Sequence, residues 1–328
     1  MQIIKPSHLT VGDTIGIVSP SYPKPDITDA EYLAQFQLGI KVISDLGFRV
    51  KEGKNLGRIH WWSGGTPDER AQDINDFYKD PSVRAIIAHD GGGGAIELLD
   101  LLDYPAIRNN PKPLVGFSDI TNLHLAIFSQ ASIVGFQGPL STYNFGKYSE
   151  QLTVADRTIE KETLVNFLTS PEYLGQYVAR PSWDWWRTGE ARGTLFGGNL
   201  SMVSSLAGTR YFPSISDIPD IIFYWEVDNI TRYHIARSLY QLKYSGFFEH
   251  VRGMVIGRTP GIKKSPWGFP NEPNVKEIVM KVIEDCDFPI LSGFESGHEG
   301  LNLCLPIGVQ AKMDSQQNTF SLLEGAVQ

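Results

Sequence analysis

The first half of the chain repeats one unit, a short apolar run followed by an amphipathic segment. That order restricts it to an α/β domain with a largely parallel sheet. DTIGIVSPS reads as a strand ending in a turn. AEYLAQFQLGIKVISDLG reads as a helix closed by Gly47, with Leu33, Phe36, Ile40 and Ile43 on one face. FRVKEG is the next strand. In TPDERAQDINDFYKD, Thr66 and Glu69 make a capping-box pair and Pro67 takes the first helical position. VRAIIAHD then reads as a buried strand, GGGG as a tight turn and AIELLDLLDY as a helix. In sheets of this class ligands sit beyond the carboxyl ends of the strands, where both the GGGG turn and Ser118 fall.

From about Tyr143 to Arg192 the pattern is irregular. A helix is expected from about Ala155 to Leu168, then a stretch crowded with proline, glycine and tryptophan. After it come GTLFGGNLSMVSSLAGTRYFP, the strand DIIFYWEV, a helix around IARSLYQLKYSG and the strand VRGMVIGR. LPIGVQAKMDSQQNTFSLLE reads as a strand hairpin with a polar turn at Asp314–Asn318. The expected organisation is therefore an N-terminal α/β domain over 1–165, a linker or loop over 166–188, and a β-rich C-terminal domain over 189–328. The active site is expected between the two domains.

A chain of 328 residues suffices for two such domains. Its net charge of -8, with no Lys/Arg cluster longer than the pair Lys263–Lys264, argues against a nucleic-acid polymer as partner. No apolar run approaches the roughly 18 residues of a membrane helix. The N-terminus lacks the basic, apolar and small-residue order of a signal peptide. The two cysteines, Cys286 and Cys304, belong to no CxxC or Cys/His cluster, so no zinc site is expected and a reducing cytoplasm fits best.

In KPLVGFSDITNLHL, Ser118 stands where an apolar run meets a helix-spaced one. Such a serine either caps the helix or offers a nucleophile beside the free N–H groups of the helix start. GFSDI is only part of the G-x-S-x-G nucleophile elbow, because Ile120 replaces the second glycine. A nucleophilic serine needs a base, and the base an orienting acid. His124, six residues on, would lie about 9 Å further along one helix and reads as a helix-face histidine. His298 lies in a Gly-flanked loop, and Glu226 closes the apolar run IIFYW, where it would emerge at a strand terminus. Gly91–Gly94 can permit a tight turn, cradle a phosphate, or offer an N–H to an oxyanion. No G-x-G-x-x-G or GK[ST] accompanies it. Trp183, Trp185 and Trp186 either pin a loop onto the body or line a ligand cleft.

Taken together, VGDTIGIVSPS, SGGTPDERAQDINDFYKDP, GGGGAIELLDLLDY, KPLVGFSDITNLHLAIF, GTLFGGNLSMVSSLAGTRYFP, IIFYWEVD and PIGVQAKMD resemble the LD-carboxypeptidase family of serine peptidases. That family includes the microcin C self-immunity proteins, and two of the segments look closer to that branch than to the muropeptide branch. The resemblance implies a Ser118 nucleophile, a His298 base and a Glu226 acid, with the oxyanion held by backbone N–H groups of Gly92 and Asp119. It implies no cofactor and a homodimer. It also implies a small peptide-derived substrate, either an aminoacyl or peptidyl nucleotide or a muropeptide ending in D-alanine. Trp186 is the candidate for stacking a nucleobase. Asp90 stands where muropeptide-branch relatives often carry arginine. Two rival classes remain, a non-catalytic ligand-binding protein of similar shape and a nucleotide-dependent transferase using the glycine turn.

Overall fold

The computed structural model describes residues 2–24, 29–218 and 220–328. The strand–helix alternation of the first half folds as β1 (Thr14–Val18), α1 (Ala30–Asp45), β2 (Arg49–Glu52), α2 (Pro67–Lys79) and β3 (Val83–Ala88). There follow α3 (Tyr104–Asn109), β4 (Leu114–Gly116), α4 (Thr121–Ala131), β5 (Gly135–Gln137) and α5 (Val154–Thr169). Strands β1 to β5 pair in parallel, in the order β5-β4-β3-β1-β2. The capping box at Thr66 forms as the sequence predicts, with both reciprocal hydrogen bonds present. The helix expected over AIELLDLLDY does not form as one piece. A single 3-10 turn, Ala95–Leu98, is followed by α3, because Asp103 accepts the Ala106 N–H and Pro105 sits at a helix start.

The second half builds another sheet. Strands β6 (Gln176–Tyr177), β7 (Asp184–Arg187), β8 (Glu190–Asn199), β9 (Ile221–Glu226), β10 (Val251–Ile256) and β11 (Ile290–Ser292) alternate with α6 (Leu200–Leu206), α7 (Arg232–Tyr244) and α8 (Val275–Val282). β8, β9, β10 and β11 are parallel, and antiparallel strands flank them. The C-terminal half is thus an α/β layer with a mixed sheet. The span 166–188, read above as a connection, carries β6 and β7 at the two edges of this sheet.

The final hairpin pairs β13 (Gln310–Asp314) with β14 (Thr319–Leu322) around the expected polar turn. LPI does not extend it. As β12 (Leu305–Ile307) it crosses back and pairs antiparallel with β5, closing the edge of the first sheet. Helix α4 lies between the two sheets and is buried on every side from Thr121 to Phe128. This explains its weak amphipathicity, since a helix packed all round has no polar face to present. Among the described residues no helix is long and apolar enough to cross a membrane.

Backbone-to-backbone packing fixes α1 on the turn Tyr143–Tyr148. A Cβ at Gly39 would fall within the van der Waals envelope of the Ser141 carbonyl oxygen, and one at Gly146 within that of Gln35. Helix propensity alone favours Gly39→Ala by about 1 kcal/mol. The clash is with backbone and works the other way, by about 1–3 kcal/mol or more. Gly39→Ala is therefore expected to lower the denaturant midpoint; a raised midpoint would mean that propensity wins.

A second tie joins α5 to the segment that follows β11. Glu160 is buried, and its Oε1 accepts the Asn302 N–H at 3.1 Å. Burial pushes its carboxyl up to about 8, against the Asn302 hydrogen bond and the attraction of Lys161. Below its unfolded-state pKa the carboxyl is neutral in both states and has no effect on stability. Between that value and about 8 the fold must keep it protonated, so its contribution falls as pH rises through the window. Glu160→Gln should therefore stabilise the protein at pH 8, by up to about 4 kcal/mol. That gain should vanish near pH 4; melting curves at both pH values check it, and an equal shift at both would contradict the assignment.

Candidate active site

Ser118 lies two residues past the end of β4 and opens a 3-10 turn, Ser118–Ile120, that leads into α4. Its backbone is left-handed, φ +61°, rare for a residue with a side chain. This is the strained strand-to-helix bend that aims a side chain away from the sheet. Ser21 and Tyr22 follow β1, and Asp90 to Gly92 follow β3, so all three segments gather at the carboxyl edge of the first sheet. The strand order reverses between β1 and β3, which opens a crevice there.

The second sheet supplies its own carboxyl edge. Glu226 ends β9, fully buried, and Asn199 ends β8. His298 lies in the segment between β11 and β12. Its Nε2 is 2.9 Å from Ser118 Oγ and its Nδ1 is 2.6 Å from Glu226 Oε2. Burial alone would lower the imidazole pKa, but the Glu226 carboxylate and its hydrogen bond raise it above 6.5. Phe117 packs edge-on to the ring at 4.7 Å, and the Tyr143 hydroxyl donates to the His298 carbonyl at 3.1 Å. A Cβ on Gly297 would come 3.0 Å from Glu226 Oε2, and φ there is +126°, so the neighbour of His298 is glycine for two reasons. A hydroxyl, an imidazole and a buried carboxylate in this order can deprotonate the hydroxyl and stabilise the resulting imidazolium.

Gly92 and Asp119, the two expected N–H donors, both line the cavity around Ser118. The Gly91 N–H is taken by Asp90 Oδ1 at 2.7 Å. Asp119 is the second residue of the turn, where N–H groups have no intrahelical acceptor. Its carboxylate does separate work. Oδ2 accepts Ser21 Oγ–H at 2.6 Å and the Ala95 N–H at 2.8 Å, and Oδ1 accepts from Asn122 at 2.9 Å. Burial raises its pKa, and these hydrogen bonds oppose the rise. Asp119 thereby fastens the post-β1 loop and the glycine turn to the start of α4.

Three residues that hold this arrangement were not singled out in the sequence. Asn199 donates from Nδ2 to Glu226 Oε1 at 3.0 Å, and from its backbone to Thr121 Oγ1 at 2.9 Å, tying both sheets together. Arg70, buried in α2, donates to the carbonyls of Pro20, Gly94 and Gly65 and pairs with Glu97. Asn302 accepts the Gly297 N–H at 3.0 Å and Ser296 Oγ–H at 3.1 Å, shaping the His298 segment. Of these only Arg70 left a trace, as a charge four and seven residues before the apolar Ile74 and Phe77 on one helix face.

His124 is structural: Nε2 bonds the Gly116 carbonyl at 2.9 Å, and burial pushes its pKa down to about 4. The structure sets Trp186 apart from the site. It lies in the edge strand β7 beside Lys276 and is not among the residues lining the cavity. Trp183 and Trp185 bond Glu295 and Asn318, so strand pairing holds this aromatic group against the outer sheet. The cavity around Ser118 has a volume of about 670 Å³. Tyr22, Tyr32 and Tyr143 supply aromatic walls, and its acidic residues are Asp29, Glu31, Asp90, Asp119 and Asp228 against Lys147.

Comparison with known proteins gives the family. A model of the LD-carboxypeptidase N-terminal domain matches residues 15–138, and one of the C-terminal domain matches residues 192–313. The chain is 30% identical to the probable murein peptide carboxypeptidase of Bacillus subtilis, covering 98% of this chain and 95% of that protein. It is 28% identical to the microcin C7 self-immunity protein MccF of Escherichia coli, covering 96% and 94%. MccF solved in complex with glutamyl sulfamoyl guanosine superposes with a TM-score of 0.87 at 25% identity, over 99% of each chain. Muramoyltetrapeptide carboxypeptidase from Oxalobacter formigenes superposes with a TM-score of 0.78 at 26% identity, over 94% and 97%. With one family model on each sheet and relatives matched end to end, the chain belongs to the LD-carboxypeptidase family of serine hydrolases.

Proposed function

We propose that this carboxypeptidase hydrolyses an amide bond of a small peptide-derived substrate through Ser118, His298 and Glu226. What carries the proposal is the hydrogen-bonded line from Ser118 Oγ to His298 to Glu226, 2.9 and 2.6 Å long, on the wall of a cavity of ligand size. His298 Nε2 takes the Ser118 proton as Oγ attacks the scissile carbonyl. The oxygen that gains charge is received by the N–H groups of Gly92 and Asp119. His298 then returns the proton to the leaving nitrogen, and a water activated by the same imidazole releases the acyl group from Ser118. Glu226 keeps the imidazole in one tautomer and stabilises its charged form.

For the substrate we favour an aminoacyl or peptidyl nucleotide with an amide-type link, as in the microcin C immunity branch. Two observations support it. The chain superposes more closely on MccF than on the muramoyltetrapeptide enzyme. Asp29, Glu31, Asp90 and Asp228 give the cavity a negative lining suited to the free ammonium of an aminoacyl group. The second reading is a muropeptide LD-carboxypeptidase that releases terminal D-alanine, favoured by the 30% identity to a murein peptide carboxypeptidase.

The test is turnover of both substrates by wild type and Ser118→Ala, with products followed by mass spectrometry. Serine-dependent release of the nucleotide is the expected result, with activity down at least about 10³-fold in the variant. Serine-dependent loss of D-alanine would select the second reading, and turnover that survives Ser118→Ala would overturn both. Because His298 must be neutral to act as base, the acid limb of kcat/KM should lie above pH 6.5. Glu226→Gln removes the charge that raises it, so the limb should move to lower pH while kcat falls about 10²–10⁴-fold. A limb that stays in place would show that another group titrates.

A further inference from the structure

Beside the cavity of Ser118 a second cavity of about 490 Å³ opens between α6 and α7. Ser201 and Ile230 line both, so the two share a wall. Their chemistry is opposite. The first is lined by five acidic residues against one lysine; among the described residues no carboxylate lines the second, which carries Arg237 and His234 instead. Around these stand the hydroxyls of Ser204, Ser205 and Ser238.

Val203 and Leu206 of α6 and Ile235 and Leu239 of α7 are buried, and Arg237 and His234 stand exposed outside that core. On α7, His234, Arg237, Ser238 and Gln241 fall three and four residues apart and so share one face. Ser204 Oγ donates to Ser238 Oγ at 3.0 Å and closes the floor. His234 Nδ1 contacts Thr231 Oγ1, which orients the ring. The Arg237 guanidinium has no ion-pair or hydrogen-bond partner among the described residues. In a protein of net charge -8, an unpaired guanidinium in a hydroxyl-rich recess beside an acidic cavity is a site for an anion.

Ser204 Oγ–H and Ser205 Oγ–H are committed within α6 and to Ser238, which leaves the Ser238 proton uncommitted. We propose that the α6–α7 cavity receives an anionic group of the substrate, a phosphate or a carboxylate, held by Arg237 and the Ser238 hydroxyl. The cationic end of the same molecule then occupies the acidic cavity, and the wall at Ser201 and Ile230 separates the two charges. That the anion is part of the substrate, with its scissile bond at Ser118, rests on the hydrolase proposal; that the cavity binds an anion does not.

The experiment is calorimetric titration of the wild type with adenosine monophosphate, with glutarate and with adenosine as the neutral control. Arg237→Gln should weaken the bound anion about tenfold or more, Arg237→Lys should restore most of the affinity, and adenosine should be indifferent to both. Binding of adenosine monophosphate alone identifies phosphate as the anion, and binding of glutarate alone identifies a carboxylate. Arg237 is exposed, so unchanged melting curves will show that the variants are folded. If neither anion binds, or if Arg237→Gln leaves both affinities unchanged, the proposal fails. In turnover, Arg237→Gln should raise KM for a substrate with an anionic leaving portion and leave kcat unchanged. A wild type that binds the anion but cleaves neither substrate would refute the hydrolase proposal and leave this one standing.

Discussion

One imidazole is held between the two sheets. His298 reaches Ser118, which follows a strand of the first sheet, and Glu226, which ends a strand of the second. Each sheet aligns parallel strands, and in each the carboxyl ends carry the polar residues. The two edges face one another, so neither sheet alone holds a complete hydrogen-bonded line. The Asn199 bridge between Thr121 and Glu226 fixes the same junction from the side, and α4, buried all round, forms its spine. The return of β12 to the first sheet links the units a second time, just past the His298 segment.

Much of this could be read in the residues. The alternation of apolar runs with helical segments specified the first sheet, and the Thr66, Glu69 and Pro67 signature marked the start of a helix that forms. Ser118 stood at a strand-to-helix bend, Glu226 at a strand end and His298 beside glycine, because those local signals survive folding. Other features were set by partners distant in sequence. The left-handed backbone of Ser118 is imposed by its surroundings, since serine has no preference for it. Asn199 and the Asp119 carboxylate act across gaps of many residues that no local spacing encodes, and Asn302 ties the His298 segment to Glu160 of α5 through its backbone N–H. The sequence leaves the tryptophans either pinning a loop or lining a cleft; strand pairing at the sheet edge decides where they sit, and Trp186 lies apart from the cavity. The helix expected over AIELLDLLDY was interrupted because Asp103 and Pro105 begin a new one.

Charge is distributed unevenly around this junction. The cavity at Ser118 is acidic, and the imidazole beside it is held above its ordinary pKa by Glu226 despite burial. Across the Ser201–Ile230 wall the lining turns cationic and hydroxyl-rich. A bipolar substrate would lie across that boundary with its two charges satisfied, which orients the bond to be cut relative to Ser118 without strain in the ligand.

On the proposed mechanism His298 makes Ser118 nucleophilic. Reaction with a fluorophosphonate, followed by intact-mass and peptide-level mass spectrometry, tests it without knowledge of the substrate. A single adduct on Ser118 that forms with wild type and is lost with His298→Ala is the predicted result. An adduct on another residue, or equal labelling of Ser118 without His298, would contradict the account.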